Sequence, residues 1–463
     1  MTITLYGAAG DVTGSAYYIQ TETANFLIDF GTFQGGQNDD TLNYTFPDIN
    51  VQKLNAVLLT HAHLDHSGRL PLLTKRHYSN PIFATQSTIE LAELILLDSI
   101  KVQTSELERM NKKRAKNGLQ TIEMPYTEDD VQEVLQLFKP IPYNKAFEIA
   151  PGCSIRAHEA GHILGSVSYE VTINEKGNQK VIVFSGDIGQ YDMAIIQDPM
   201  PFAKADLVFM ESTYGDRDHR TQDDTLHEGM EIIKNAIKNK GKILVPAFAI
   251  GRTQELLYYL ARATEYDNLP LIPIYLDSPM GIEASEIYLK HIELYDDEAL
   301  DLLKKGTIKR DLSGIHVSKT PEDSRAINSI QGPCMIIAGS GMCNAGRIMH
   351  HLRHNLSKPE TWVMITGYQG AGTLGRRLID GDKTVKIFGE EITVNAQIRS
   401  LNGLSAHAGQ SDLLRWFDRV AASHPKLVLS HGEDRSRIPL AEIIRGKYGI
   451  DVLLPKFGEV ITI

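Results

Sequence analysis

Four side chains that can bind a metal ion occur within six consecutive residues, at His61, His63, Asp65 and His66. They follow the apolar run AVLLT, which has the composition of a buried strand. Neither a strand nor one face of a helix can turn all four toward one point, whereas a tight loop after a strand can. Imidazole and carboxylate groups suit zinc, at about 2.0–2.2 Å per ligand. A polar loop with scattered histidines is the alternative interpretation, and the density of ligands after a buried strand disfavours it.

Three more ligand-capable residues stand at the ends of later strand-like runs. His162 lies in AGHILG, where glycine allows a close backbone approach, Asp187 follows VIVF, and His431 follows KLVL. Taken singly, each is equally well explained as a polar residue in the turn after a strand. Together with the first four they provide seven ligands, enough for two metal ions if Asp187 bridges. His158 alternates along a strand-like segment and is interpreted as structural.

The elements that position these residues change character twice along the chain. Short strands such as ANFLIDFG dominate the first part, strands and helices alternate after Thr213, and a hairpin-like pattern begins near Lys386. Alternation of strands and helices predicts a mostly parallel sheet. The sequence therefore predicts an α/β fold in which residues 213–385 form a domain inserted between residues 1–212 and 386–463 of another domain.

In their order along the chain, these motifs resemble the metallo-β-lactamase superfamily, and over its full length the chain resembles the β-CASP nuclease branch. The motifs are Asp29 in FLIDFG, the HAHLDH block, His162, Asp187, Glu211 in ESTYG, His407 in SAHA and His431 in SHGE. The resemblance implies a metallo-β-lactamase αβ/βα sandwich with an inserted β-CASP α/β domain. It also implies two zinc ions per chain, with manganese as the alternative metal in the cell.

The same resemblance divides the ligands between the two metal ions. The first ion is expected on His61, His63 and His162, the second on Asp65, His66 and His431, with Asp187 bridging. Asp29 is expected to hold a ligand histidine in its tautomer, as carboxylates beside metal ligands do.

Two features place the chain within the β-CASP branch. Members that act on DNA typically carry a small apolar residue at the last motif, so His431 favours RNA. Few residues follow His431. In this respect the chain resembles compact bacterial ribonucleases that are similar to the endonuclease subunit of the eukaryotic pre-mRNA 3′-end cleavage complex. The resemblance implies a zinc-dependent ribonuclease that hydrolyses single-stranded RNA with a metal-bridged hydroxide, in RNA processing or decay. Endonucleolytic action is expected, and 5′-exonucleolytic action stays open because both occur in the branch.

A phosphodiester hydrolase must also protonate the leaving oxygen. Besides Asp65, the expected catalytic residues are Glu211 and His407, with His407 as the general acid and Glu211 holding it charged. In the alternative interpretation, Glu211 caps the turn before Gly215 and His407 is a surface loop residue.

The predicted insert contains residues suited to hold a nucleic acid. A Gly-Ser-Gly sequence at 339–341 follows the strand-like CMIIA and precedes a helix expected from Ala345. This arrangement favours a phosphate-binding site formed by backbone amides. Residues 324–359 also contain no acidic residue. The expected substrate contacts are Ser340, Gly341, Arg347, Arg252 and Ser405, and Phe248 and Tyr368 are candidates for stacking on bases. The alternatives are an ordinary tight turn for the Gly-Ser-Gly sequence, a helix-end salt bridge for Arg252, and a place in the core for the two aromatic residues.

Composition limits the remaining classes of protein. The chain has 463 residues and a formal net charge of −11, and it contains no apolar run long enough to span a membrane. Cys153, Cys334 and Cys343 cannot all pair and lack metal-ligand spacing, which excludes a disulfide framework and indicates a cytoplasmic protein. The negative charge argues weakly against a nucleic-acid partner, but it averages over unlike regions. A homodimer is a candidate assembly.

Two other functional classes fit the sequence less well. A small-molecule hydrolase of the metallo-β-lactamase fold, such as a lactonase or a thioesterase, lacks a large α/β insert and the Glu211–His407 pair. A non-catalytic scaffold of the same fold typically loses ligands, whereas every ligand position of this chain is occupied.

Overall fold

A computed structural model of the chain describes residues 1–34, 39–266, 270, 272–305, 314–367, 369–370 and 372–463. Tyr368, one of the two aromatic residues considered for base stacking, lies outside the described residues. The described residues form two compact units. The first comprises Met1–Tyr191, Asp198–Asp218 and His407–Ile463, and the second comprises Asp192–Gln197 and His219–Ala406.

The strands that the structure describes are short. In chain order they are β1 Thr2–Leu5, β2 Tyr17–Gln20, β3 Asn25–Ile28, β4 Ala56–Leu58, β5 Ile82–Ala84, β6 Phe138–Pro140, β7 Phe147–Ala150, β8 Cys153–Glu159, β9 Val167–Glu175, β10 Asn178–Phe184, β11 Leu207–Glu211, β12 Lys242–Pro246, β13 Ile274–Leu276, β14 Ile315–Val317, β15 Cys334–Ala338, β16 Trp362–Ile365, β17 Thr384–Ile387, β18 Glu390–Thr393, β19 Gln397–Ser400, β20 Lys426–Ser430, β21 Val452–Leu453 and β22 Val460–Thr462.

The described helices are distributed over both units. In chain order they are Asp39–Tyr44, Leu64–Ser67, Pro71–Thr74, Gln86–Lys116, Glu128–Gln136, Gln222–Asn239, Arg252–Tyr266, Pro279–Lys290, Asp297–Lys304, Pro321–Ile327, Ile348–Asn355, Leu374–Ile379, Gln410–Ala421 and Asp434–Tyr448, with 3-10 turns at Val51–Lys53, Ile292–Leu294 and Asn402–Leu404.

Two sheets form the frame of the first unit. One has the order β22-β1-β2-β3-β4-β5-β6 and the other has the order β21-β20-β11-β10-β9-β8-β7. Their facing side chains share one apolar core, to which the first sheet contributes Phe26 and Leu58 and the second contributes Tyr169 and Phe209. β11 is buried along its whole length, which explains the continuous apolar run LVFM in its sequence.

Helices cover the outer face of the second sheet. Trp416 and Phe417 of the helix Gln410–Ala421 and Leu440 of the helix Asp434–Tyr448 pack with Val208 and Leu427 of that sheet. The first unit is therefore built in layers, with two sheets facing each other and helices outside. The strands β4, β10 and β20, each paired in parallel with a neighbour, end in loops that carry predicted metal ligands: His61 to His66, Asp187 and His431 respectively.

The second unit contains a parallel sheet with the order β14-β13-β15-β12-β16-β19. The chain leaves β12 toward β13 and β14, returns to β15 beside β12, and then crosses to β16 on the other side. The carboxyl end of β12 is thus the point at which the strand order reverses, where parallel sheets usually bind their ligands. The loop with Ser340 and Gly341 follows β15 and lies at this edge.

The bounds of the second unit suggest a refined domain assignment. β19, Gln397–Ser400, pairs with β16 and completes the parallel sheet, although it follows the predicted insert of residues 213–385. We therefore propose that the insert corresponds to the second unit, which runs to Ala406. Among the described residues, each helix is too short or too polar to cross a membrane. All three cysteines are buried and free.

Candidate metal centre

The loop from His61 to His66 follows β4 and is held by backbone hydrogen bonds. His63 precedes the single-turn helix Leu64–Ser67, so Asp65 and His66 are turned relative to His61. The Phe30 amide donates to the carbonyl of His66 at 2.8 Å, and the Ser15 amide donates to the carbonyl of Asp65 at 2.9 Å. These bonds fix a compact loop that presents several ligand-capable side chains from one short segment.

Three histidines and one carboxylate from this loop and two others converge on one point. His63 Nδ1 lies 3.1 Å from His61 Nε2 and 3.2 Å from His162 Nε2. Asp187 Oδ2 lies 3.5 Å from His61 Nε2 and 3.6 Å from His162 Nε2. These four side chains could hold one metal ion, and we refer to them as the first group.

A second group of ligand-capable atoms faces the other oxygen of Asp187. It consists of Asp65, His66 and His431. His66 Nε2 lies 3.3 Å from His431 Nε2, and His431 Nε2 lies 3.7 Å from Asp65 Oδ2. Asp187 Oδ1 lies 3.2 Å from His66 Nε2, so the carboxylate of Asp187 stands between the two groups.

The spacing of these atoms fits metal ions better than hydrogen bonds. A tetrahedral ion with bonds of about 2.1 Å places its ligand atoms about 3.4 Å from one another, close to the separations found here. His63 Nδ1 has only one proton or lone pair, yet two ring nitrogens face it. Asp187 Oδ1 is buried and accepts no hydrogen bond of acceptable geometry from the described residues. The residues therefore fit metal binding, with a donor set of imidazoles and carboxylates.

Asp29, which was expected beside a ligand histidine, and two threonines that the sequence analysis overlooked face the outer ring nitrogens of the clustered histidines. Asp29 Oδ2 lies 2.7 Å from His66 Nδ1, which leaves His66 Nε2 to face the site. The Thr60 hydroxyl donates to Asp29 at 2.9 Å and lies 3.1 Å from His61 Nδ1. Thr213 Oγ1 lies 3.1 Å from His431 Nδ1. Thr60 could have been found from its position directly before His61 at the end of a buried strand.

Two of these residues adopt a backbone conformation that the sequence does not reveal. Asp29 has a φ of 58° and His431 has a φ of 46°, in the left-handed region that side chains other than glycine rarely occupy. Such conformations cost about 1–3 kcal/mol and persist where the surrounding structure determines them. For His431, the amide donates to the carbonyl of Ala8 at 2.7 Å, which holds the residue in this conformation.

The charges in the cluster depend on one another. Burial raises the pKa of the Asp187 carboxyl, but His431, His66 and neighbouring imidazoles outweigh burial and hold it well below its usual range. Burial lowers the pKa of His61 well below its usual value, which keeps this imidazole neutral and able to donate a lone pair. Burial also lowers the pKa of His66, but Asp187 and Asp29 raise it well above the usual value.

Beside the metal-ligand cluster, His407 pairs with the fully buried Glu211. His407 Nδ1 lies 3.2 Å from Glu211 Oε1 and 3.9 Å from Asp187 Oδ2. Burial lowers the pKa of His407, but Glu211 and then Asp187 outweigh it and raise the pKa to about 9. Glu211 Oε1 also accepts the amide of Ile188 at 2.6 Å. Glu211 therefore supports the local backbone and also keeps the neighbouring imidazole charged.

The buried carboxyl group of Glu159 should make the stability of the fold depend on pH. Its Oε1 accepts the amide of Gly161 at 2.8 Å, and burial raises the pKa of Glu159 to about 7. Because the folded pKa is raised, this group stabilises the fold below the unfolded pKa, and the stabilisation is lost as pH rises toward 7. We expect the free energy of unfolding of E159Q, relative to that of wild type, to increase by about 2 kcal/mol between pH 5 and pH 8. Thermal unfolding of the metal-free proteins at both pH values measures this gain, and parallel pH profiles would contradict the raised pKa.

The two arginines expected to bind substrate are held by buried acids of the second unit. Arg347 Nη1 lies 2.7 Å from Asp277 Oδ1 and donates to the carbonyl of Ser318 at 2.8 Å. Arg252 forms an ion pair with Glu255, and both side chains are buried. For Arg252 this is the helix-end salt bridge that was the alternative interpretation.

The other expected substrate contacts lie in loops of the second unit. The hydroxyl of Ser340 accepts the amides of Asn344 and Ala345 at 3.1 and 3.3 Å. The helix expected from Ala345 begins only at Ile348, because these bonds and the positive φ of Gly346 close a loop first. Gly341 lies beneath the ring of Phe248, where a Cβ atom would come within 2.7 Å of the ring.

Of the remaining candidates for substrate contact, Phe248 is 39% exposed and Ser405 is buried.

The three arginines of the stretch 324–359 form ion pairs with acids from outside it. Arg353 forms a bidentate ion pair with Glu390, in which Nε and Nη2 donate to the carboxylate at 2.8 and 2.6 Å. Arg325 Nη1 lies 2.8 Å from Glu322 Oε1. The absence of acidic residues from a stretch of sequence therefore does not leave its arginines without acidic partners in the fold. Exposed ion pairs of this kind are weak, at about 0–1 kcal/mol, and can exchange an acid for a phosphate.

Comparisons with known families match three consecutive parts of the chain. A metallo-beta-lactamase superfamily domain matches residues 18–189. A Beta-Casp domain matches residues 253–378, and a Zn-dependent metallo-hydrolase RNA specificity domain matches residues 391–455. These matches confirm the fold class expected from the sequence.

Individual relatives match along the whole chain. Ribonuclease TTHA0252 of Thermus thermophilus is 36% identical over 459 residues, covering 99% of this chain and 99% of the relative. The transcription termination factor FttA of Methanosarcina mazei is 29% identical over 461 residues, covering 97% of this chain and 69% of the relative. A crystal structure of a protein of unknown function from Enterococcus faecalis V583 is similar with a TM-score of 0.53 at 13% identity, over 99% of both chains, which shows a shared fold alone.

Proposed function

Because this chain belongs to the β-CASP ribonuclease branch of the metallo-β-lactamase superfamily and is a metal-dependent ribonuclease, we propose that it binds two zinc ions and cleaves single-stranded RNA internally. The same site serves 5′-exonucleolytic cleavage if an RNA end reaches it. Such an activity suits RNA processing or decay.

The position of Asp187 carries the proposal of two ions. Its two carboxylate oxygens face two different sets of histidine nitrogens, at separations of 3.2–3.6 Å. We assign one ion to His61, His63 and His162, and the other to Asp65, His66 and His431, with Asp187 as the shared ligand. A single ion would leave one of these buried sets without a partner, at a cost in desolvation.

Bound zinc ions supply the Lewis acidity that activates water and offsets the negative charge of a phosphodiester under attack. Two residues of the chain would orient the imidazoles that bind these ions: Asp29 orients His66, and Thr60 orients His61. Neither residue needs to touch the RNA to affect its cleavage.

His407 is the proton donor in this proposal. Its Nδ1 is held by Glu211, so the proton to be delivered resides on Nε2 of a charged imidazole. His407 Nε2 gives this proton to the leaving oxygen of the RNA as the P–O bond breaks. The Ser340 amide donates to the carbonyl of Ala345 at 3.2 Å, so the phosphate contact proposed for this loop is the amide of Gly341. Arg347 and Arg252 hold the adjacent elements of the second unit through their ion pairs.

One experiment tests metal, substrate and mode of cleavage together. The purified protein, with its metal content measured by mass spectrometry, is incubated with linear RNA labelled at either end, the same RNA as a closed circle, and DNA of the same sequence. We expect two zinc ions per chain, opening of the circle, internal fragments from both labels, and intact DNA. Treatment with a chelator should stop cleavage, and zinc should restore it.

The outcomes separate the parts of the proposal. A circle that stays closed while linear RNA loses nucleotides from its 5′ end would replace internal cleavage with exonucleolytic cleavage. RNA that carries a 5′ hydroxyl, monophosphate or triphosphate then reports which end is accepted. A fully metallated protein that cuts neither linear nor circular RNA would overturn the proposal.

A further inference from the structure

Arg69 is a buried cation without an acidic partner among the described side chains. Its side chain is only 2% exposed, and its guanidinium carbon lies 4.4 Å from the ring centroid of Phe30 and 4.6 Å from that of Phe33. A buried cation without a counter-ion costs several kcal/mol unless other groups compensate. An apolar side chain would fill the space between the two rings without this cost.

Backbone carbonyls from three separate segments bind the Arg69 guanidinium. Nε donates to the carbonyl of Gly31, and Nη2 donates to the carbonyls of Gly14 and Tyr6 at 3.2 and 3.4 Å. The planar fork of arginine holds its donors in fixed directions, so it can reach acceptors farther apart than the single nitrogen of a lysine can. The function of this cation is therefore to join these three segments.

Two of these segments touch the loop that carries Asp65 and His66. A Cβ atom on Gly31 would lie 1.6 Å from the carbonyl oxygen of Asp65, so backbone packs directly on backbone. The Gly31 amide donates to the carbonyl of Ser15, whose own amide donates to the carbonyl of Asp65, both at 2.9 Å. A displacement of Gly31 or Gly14 is thus passed to Asp65 without an intervening side chain that could absorb it.

The stretch between two of these segments, from Tyr6 to Gly14, also supports the remaining member of the second group. Within this stretch, the carbonyl of Ala8 accepts the amide of His431 at 2.7 Å, and the carbonyl of Asp11 accepts the amide of Gly432 at 3.0 Å. His162 of the first group has a different support, since its amide donates to Ser166 Oγ at 3.1 Å. The segments that Arg69 joins thus support Asp65, His66 and His431 together, and His162 lies outside them.

We infer that Arg69 is a positioning residue for the second metal ion, acting through the backbone segments that support Asp65, His66 and His431. The inference rests on the proposed two-ion centre. Loss of Arg69 should weaken the ion bound by the second group and leave the ion bound by His61, His63 and His162 in place.

The test measures metal binding in matched variants. R69M keeps an apolar stem between the two rings but removes the donors, and R69K keeps the charge but loses the fork. K242M is the control, because Lys242 is a buried cation of the second unit that also bonds only backbone carbonyls, those of Ile327 and Asn328, among the described residues. Each protein is loaded with zinc, its metal content is measured by mass spectrometry, and the two dissociation constants come from competition with a chelator.

We expect K242M to bind two zinc ions per chain, each with the same dissociation constant as in wild type, even if K242M unfolds at a lower temperature. R69M should keep one ion and bind the other about 10–100-fold more weakly, the range typical of residues that orient ligands. R69K should fall between R69M and wild type. If R69M fails to fold, R69K and F33L, which removes one aromatic face, should still show selective weakening of one ion.

Three results would count against the inference. Wild-type affinity for both ions in a folded R69M or R69K variant would overturn it, as would equal weakening of both ions. A wild-type chain that binds fewer than two zinc ions would overturn the two-ion proposal as well, so the two failures are distinguishable.

Discussion

The H162A variant is expected to lose at least about a thousandfold in RNA cleavage, whereas H158A retains wild-type activity. His162 Nε2 lies 3.2 Å from His63 Nδ1 and 3.6 Å from Asp187 Oδ2, so alanine removes one of the four side chains proposed to bind the first ion. Metal ions contribute several kcal/mol to phosphodiester hydrolysis, and each 1.36 kcal/mol corresponds to a tenfold change in rate.

His158 provides a closely matched control for this prediction. It lies on β8, four residues before His162, and its nearest acidic partner is Glu170, at 4.0 Å from Nε2. Both variants remove an imidazole from the same part of the first unit, so a general loss of stability would affect both. The measurement is the rate of RNA cleavage, with metal content and circular dichroism recorded for each protein. Wild-type turnover by an H162A protein that has lost metal would contradict the assignment.

The convergence of the seven ligand-capable side chains could be predicted from the sequence because they occur in recognisable positions. Each ligand follows a strand, and parallel strands bring their carboxyl ends to the same edge of a sheet. The structure brings His61, His63, His162 and Asp187 together as one group and Asp65, His66 and His431 as another. The division of ligands between two ions needed the family resemblance, since strand order and loop direction are not visible in spacing.

Contacts between distant segments explain what the sequence did not reveal. Arg353 pairs with Glu390, 37 residues away, and Asp277 holds Arg347 across 70 residues, so the charge of a continuous stretch could not predict the charge of the folded surface. Arg69 follows the ligand block, but its role depends on carbonyls at Tyr6, Gly14 and Gly31. Backbone acceptors carry no signature in side-chain sequence.

The H407A variant is expected to slow RNA cleavage by about 10²–10⁴-fold, the usual contribution of a general acid. The ribose oxygen that leaves from RNA is a poor leaving group and must receive a proton as the P–O bond breaks. A nitrophenolate leaves without a proton, so the same variant should hydrolyse a nitrophenyl phosphodiester at a rate within about tenfold of wild type. The ratio of the two rates separates proton donation from metal binding, because loss of metal slows both substrates.

The E211Q variant tests whether the carboxylate acts through His407. Glutamine can still accept the amide of Ile188, which Glu211 Oε1 accepts at 2.6 Å, but it lacks the charge that holds the pKa of His407 up. E211Q should therefore show the same preference for the nitrophenyl substrate as H407A, with a smaller loss on RNA. Equal losses on both substrates in H407A would exclude His407 as the proton donor. The Glu211–His407 pair would then serve the structure of the loop, and the proton would have to come from another group at the centre.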